Sequence, residues 1–356
     1  MMYTSRFRLR STQRGLSLVE LMVAVTISLL VLTALSAIFI SSTRSRNEMQ
    51  KSTQQQESGR YAAELLADNL KMAGYLAEFD SSPMTTPAVL PDPCSTTIAN
   101  LLTALPLHVQ GVNDAADSPS CLSDVKAGTD IVVVRRASTC VVGAAGCAAF
   151  VEGEPHFQAS LCTPNDGSGA ELAHAISSDA DYAAHHFALS TAAGDFTRHK
   201  TSCVAADFAA IQRYFVHIYF IANNNVSGDG IPTLKRAELG AGAFSIVPLV
   251  DGIENMQIEY GVDSDADGVP NTYTSAPAST ADWRNVMAAR VHLLARNTTS
   301  SQGYTDSRVY TLGDKEVSDS RVYTLGDKEV SAPSDGYKRH VYSTTAQFVN
   351  PSWRRQ

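Results

Sequence analysis

GLSLVELMVAVTISLLVLTALSAIFI, residues 15–40, is the stretch on which the architecture turns. From Leu16 to Ile40 it runs for 25 residues with a single ionisable group, Glu20. About 20 apolar residues cross a bilayer, so the run is long enough to span one. A secretory signal would have a shorter apolar region, about 7–15 residues, with a small-residue cleavage site beyond it. Arg6, Arg8, Arg10 and Arg14 precede the run and Arg44 and Arg46 follow it. The basic leader predicts a cytoplasmic N-terminus and an exported body. Glu20 is the anomaly, because a carboxylate inside a membrane helix costs about 2.5–3.5 kcal/mol and calls for a partner or for headgroup water.

Gly15-Leu16-Ser17-Leu18-Val19-Glu20 closely resembles the prepilin peptidase site of type IV pilins and pseudopilins: a basic leader ending in Gly, then an apolar helix with Glu at its fifth position. The resemblance implies that prepilin peptidase removes residues 1–15 by cutting after Gly15. It implies too that the new amine on Leu16 is methylated, and that Glu20 pairs with the amine of a neighbouring subunit during assembly. Phe is the commoner residue where this chain has Leu16.

Past the apolar run, residues 41–79 contain no proline and read as a continuing helix. Tyr61, Leu65, Leu66, Leu70, Ala73 and Leu76 recur at three- and four-residue spacings, an apolar stripe that predicts packing on a globular body. Residues 59–75 are also similar to the second half of the first helix in PilW proteins and in the J-type pseudopilins of type II secretion. Gly74 is a candidate for loosening or ending the helix.

With 356 residues and 44% hydrophobic content, the chain can bury one large core or two modest ones. Residues 1–15 carry four arginines and no acid, so their loss takes the formal charge from −8 to −12. That excludes nucleic acid as an expected partner. Cys94, Cys121, Cys140, Cys147, Cys162 and Cys203 cluster centrally without a C-x-x-C pair, which favours disulfides formed outside the cytoplasm over a zinc or redox site. About 15 pairings are open to six cysteines.

Residues 80–129 begin with Pro83, Pro87, Pro91 and Pro93 and read as a loop region. From residue 130 to 350 a β-rich domain is expected, with strands at 131–134, 214–221, 256–260 and 341–345, where β-branched and aromatic residues dominate. Residues 285–296 fit either helix or strand; resemblance to PilW proteins, clearest over 214–348, favours strand. The expected fold class is α+β: a long N-terminal transmembrane helix (16–40 in membrane or fibre core, 41–79 beyond it) on a mainly antiparallel sheet, with a disulfide-bearing, loop-rich insertion over 94–203. Residues 306–318 and 319–331 are identical, DSRVYTLGDKEVS, a tandem duplication that reads as a surface hairpin insertion.

Asp263-Ser264-Asp265-Ala266-Asp267-Gly268-Val269-Pro270-Asn271 places side-chain oxygens at the first, third, fifth and ninth positions and the Val269 carbonyl at the seventh, a spacing that can wrap calcium. Thr274 stands where an EF-hand has its bidentate Glu, so the other reading is a plain polar turn. No catalytic set emerges. The S-x-x-K at Ser123–Lys126 lacks its companion motifs, and His185 and His186 are adjacent and read as a solvated pair.

Two function classes remain. The resemblance implies a non-enzymatic minor pilin that joins other minor pilins and the major pilin from the inner membrane, primes fibre growth, and presents a tip adhesin for twitching motility and adhesion. Its runner-up is a J-type type II secretion pseudopilin. A calcium-dependent periplasmic binding module is the alternative of a different kind.

Overall fold

The computed structural model describes residues 15, 17–115, 118–163, 171–306, 322–325, 328–331 and 335–354. Its contacts divide the chain into two compact units, Met1–Lys51 and Ser52–Gln356. Helix α1, Leu18–Lys71, supplies residues to both.

In the first unit α1 is apolar and uncovered: none of residues 18–40 is buried. It is the one described helix long and apolar enough to cross a membrane. The four hydroxyls of residues 18–40 are satisfied within the helix, because Thr26, Ser28, Thr33 and Ser36 donate to the carbonyls of Val23, Ala24, Leu30 and Leu32. A helix in hydrocarbon must close its polar groups in this way.

In the second unit most of the expected stripe does turn inward: Leu66, Leu70, Ala73 and Leu76 are buried and Leu65 packs against the core, so only Tyr61 departs from it. Gln55, Gly59, Ala62, Ala63, Leu66, Ala67 and Leu70 are buried, while Tyr61 is 57% exposed. Small residues win this face because they allow close approach. A Cβ on Gly59 would lie 2.1 Å from Cε2 of Tyr342. Gln55 donates from Nε2 to the carbonyls of Ala295 and Lys338 at 2.8 and 2.9 Å, which fastens α1 to the strands beside it. The helix ends at Lys71, short of the expected residue 79. Gly74 adopts φ 71° and its N–H binds the carbonyl of Arg135, which turns the chain out of the helix.

A seven-stranded antiparallel sheet is built from β1 (Val109–Val112), β2 (Ile131–Val141), β3 (His156–Ala159), β4 (Phe187–Ser190), β5 (Ile211–Ala222), β6 (Thr233–Leu239) and β7 (Phe244–Asp251), with β5 central. A four-stranded antiparallel sheet follows in the order β13-β10-β8-β9: β8 is Ile253–Val262, β9 Thr272–Thr274, β10 Val286–Arg296 and β13 Arg339–Gln347. Residues 286–296 are therefore strand. On one face of the larger sheet, Val132, Val134, Tyr219 and Ile221 share a core with Leu66 and Leu70 of α1 and with Met256, Ile258, Val291 and Leu293 of the smaller sheet. The alternate residues Ile131, Val133, Ile218 and Phe220 join a second core with Leu101, Phe157 and Phe187. Burial on both faces is why β2 and β5 read as unbroken apolar runs.

Residues 80–129, expected as a loop region, contain helix α2 (Ile98–Ala104) and β1, so the prolines punctuate folded chain. The cysteine-bearing stretch supplies β2, β3 and β4 to the larger sheet and forms the pairs Cys94–Cys121, Cys140–Cys147 and Cys162–Cys203. In the duplicated segment, β11 (Val322–Leu325) pairs with β12 (Lys328–Ser331) as a hairpin in the second copy; the first copy, Asp306 apart, lies outside the described residues. Arg339, its side chain 0% exposed, binds Glu254 and Asp335 and lies 3.7 Å from Asp306, so it joins β8 to the first residue of that segment and to a residue just after it. Burial alone would lower the pKa of Arg339, but the hydrogen bonds it donates to Asp335 and Glu254 raise it.

Candidate functional site

The start of α1 is built by Ser17 and Glu20. The Ser17 N–H donates to Glu20 Oε2 at 2.9 Å, and the Glu20 N–H donates to Ser17 Oγ at 3.2 Å. These reciprocal bonds form a capping box, which satisfies two of the amide donors a helix start leaves open. The helix dipole also favours a carboxylate in this first turn, by about 0.3–1 kcal/mol. Glu20 is thus held in place by its own chain, and among the described residues it has no cationic partner. Gly15 has nothing within 4 Å of where a Cβ would stand. Leu16 lies outside the described residues. Ser17 is the residue the sequence reading passed over, although S-x-x-E before an apolar run is itself a helix-start signature.

The Asp-rich loop joins β8 to β9. Carboxylate oxygens of Asp263, Asp265 and Asp267 lie within 4.8 Å of one another. Oxygens sharing one calcium at about 2.3–2.6 Å can stand that far apart, so the three carboxylates fit the ion. The loop also holds itself. Buried Asp263 accepts the Ala266 and Gly268 N–H groups at 2.7 and 2.9 Å, and Asp267 accepts that of Val269 at 2.8 Å. Ala266 and Gly268 take φ of 63° and 84°. Asn271 Oδ1 accepts the Ser264 N–H at 2.6 Å and its hydroxyl at 3.0 Å, so the amide oxygen of the ninth position is turned into the loop.

One arrangement looks catalytic at first sight. On β13, β10 and β8, Ser343 Oγ lies 2.8 Å from His292 Nδ1, and His292 Nε2 lies 3.4 Å from Glu259 Oε2. The three side chains lie on neighbouring strands of one sheet, joined by the ladders β13–β10 and β10–β8. It is a cross-strand polar ladder.

Residues 218–350 match the family described as Type IV Pilus-assembly protein W, and residues 10–36 match the prokaryotic N-terminal methylation motif. The C-terminal part of the chain is similar to PilW proteins. The PilW match runs from the middle of β5 through the whole four-stranded sheet, and the methylation-motif match contains Gly15, Leu16, Ser17 and Glu20. Together they support a pilin associated with type IV pili and the machinery that processes prepilins. No curated protein and no solved structure matches the chain. None of the six cysteines falls within either match.

Proposed function

We propose that the chain is a minor pilin, inserted in the inner membrane by residues 16–40 with its N-terminus in the cytoplasm and its body in the periplasm. Prepilin peptidase cuts after Gly15, Leu16 is methylated, and the subunit enters the fibre at low abundance beside other minor pilins and the major pilin. There it helps to initiate assembly, and it contributes to twitching, adhesion and presentation of a tip adhesin.

The observation that carries this reading is the Ser17–Glu20 box at the head of an uncovered apolar helix inside the methylation-motif match. Cleavage after Gly15 would leave the new amine one residue before the cap. The box keeps the carboxylate at that end of the helix, where a neighbour's amine offsets the cost of a charge in hydrocarbon, about 2.5–3.5 kcal/mol. The test is the amount of chain in sheared fibres when Glu20→Ala or Glu20→Gln replaces the wild type. Loss from fibres with normal membrane levels supports the reading; wild-type incorporation of both variants sinks it.

The Asp263, Asp265 and Asp267 carboxylates support a second element of the proposal, a calcium ion that braces the β8–β9 loop without catalysing anything.

A further inference from the structure

The face of the larger sheet that meets α1 does not stay apolar along its length. Residues 213, 215, 217 and 219 of β5 share one face, since side chains alternate along a strand. Register places Val134 beside His217, Arg136 beside Phe215, Glu238 beside His217 and Arg236 beside Tyr219. Beyond Val132 and Val134, this face therefore gathers guanidinium groups from β2 and β5 at Phe215 and a third, from β6, beside Tyr219. Arg136 and Arg213 lie 4.9 and 5.2 Å from the centre of the Phe215 ring.

The charges do not balance. Arg213 pairs with Glu154 at 3.0 Å and Arg236 with Glu238, but Arg136 has no ion-pair partner among the described residues and donates only to the Ala137 carbonyl at 3.2 Å. The Nε groups of Arg136 and Arg236 are buried with no hydrogen-bond partner among the described residues, while the Arg236 guanidinium engages Tyr219 besides Glu238. His217 stands among them, 5% exposed, with Nδ1 buried and without a partner. Tyr219 meets it edge-on at 6.2 Å, and His156 on β3 stands opposite Arg213. A buried polar group left unmatched forfeits its hydration without replacement, so a ligand able to accept these bonds would recover what the cluster forgoes.

We propose that Arg136, Arg213 and Arg236, with the ring of His217 among them, form a binding site for an oxyanion, a carboxylate or an inorganic oxyanion of similar size. Planar guanidinium groups suit such oxygens because they can donate two parallel bonds. Burial, followed by the positive charges of Arg236, Arg136 and Arg213, holds His217 at about 3, so the ring is neutral in the empty site. A bound anion would screen those charges and raise the His217 pKa, and binding would tighten as pH falls. The site does not rest on the pilin reading, since Arg136, Arg213 and His217 lie outside both family matches.

The experiment uses the full chain in detergent micelles, with sodium sulfate or a capped tetraglutamate peptide added against sodium chloride at matched ionic strength. Imidazole NMR signals of His217, assigned with His217→Gln, are followed through each titration. A saturable shift with an upward move of the His217 pKa, weakened at least tenfold in Arg136→Met, supports the site. Arg136→Lys, which keeps the charge but loses the fork, should weaken it severalfold and guards against misfolding of the first variant. Saturation by sulfate alone assigns the site to a free oxyanion. Peptide binding that sulfate displaces assigns it to an acidic segment of a protein. No saturable response to either probe, or one that Arg136→Met and Arg136→Lys leave unchanged, overturns the proposal.

Discussion

Gly59→Ala puts two effects of opposite sign against each other. In a helix interior alanine is favoured over glycine by about 1 kcal/mol, so on an uncovered helix the change would stabilise. Here the added Cβ would stand 2.1, 2.4 and 2.6 Å from Cε2, Cδ2 and Cζ of Tyr342. Carbon atoms in contact sit about 3.5–4.0 Å apart, so ring or helix must move by more than about 1 Å. Overpacking of this kind costs about 1–3 kcal/mol, which leaves a net loss of up to about 2 kcal/mol. Urea unfolding of the full chain in detergent should show that loss. In a Tyr342→Ala background the clash is gone, and the same change should instead stabilise by about 1 kcal/mol. A double-mutant cycle then returns a coupling of about 1–3 kcal/mol. If Gly59→Ala stabilises the wild-type chain, Tyr342 does not pack on α1 and the inward face assigned here is wrong.

Three further outcomes follow from the body. Arg339→Met strands Glu254, Asp335 and Asp306 without their shared cation and should cost about 3–5 kcal/mol in urea unfolding; a loss under about 1 kcal/mol would mean that the network is solvated. His217 is depressed from 6.5 to about 3 by burial first and its arginine neighbours second, so between those values the unfolded chain binds the extra proton. Its contribution is complete above about pH 6.5 and is lost by up to about 1.4 kcal/mol per pH unit as pH falls toward 3; His217→Gln should flatten that part of the stability profile, and an unchanged slope would count against the assignment. Calorimetry should detect calcium at the β8–β9 loop with a Kd of millimolar or tighter, abolished in Asp265→Asn/Asp267→Asn, whereas the absence of heat at millimolar calcium leaves a self-capped turn.

How far each feature can be read from sequence depends on how locally it is encoded. The apolar run of α1, and β2, β5, β8 and β13, carry their own signal in length and β-branched content. The inward face of α1 does so only in part: Leu66 and Leu70 mark it, but Tyr61 is exposed, and Gly59, Ala62, Ala63 and Ala67 are chosen by what packs on them, Tyr342 nearly three hundred residues away among it. Strands β3 and β4 are four residues each, too short for a period, and owe their existence to pairing with β5 and with each other. The disulfide pairs depend on where β2 and the loops around β3 and β4 lie, which spacing alone does not state. At the candidate sites, Glu20 and the three aspartates stand out in sequence because each breaks a pattern. The arginine cluster does not, since Arg136, Arg213 and Arg236 are scattered along the chain and only strand register brings them together.

The central claim is that the apolar helix becomes the N-terminus of the mature subunit. Mass spectrometry of the chain from cells with and without prepilin peptidase tests it most directly. Methylated Leu16 is expected as the first residue in the first case, and an uncut chain that retains residues 1–15 in the second. The same uncut chain in both would contradict it.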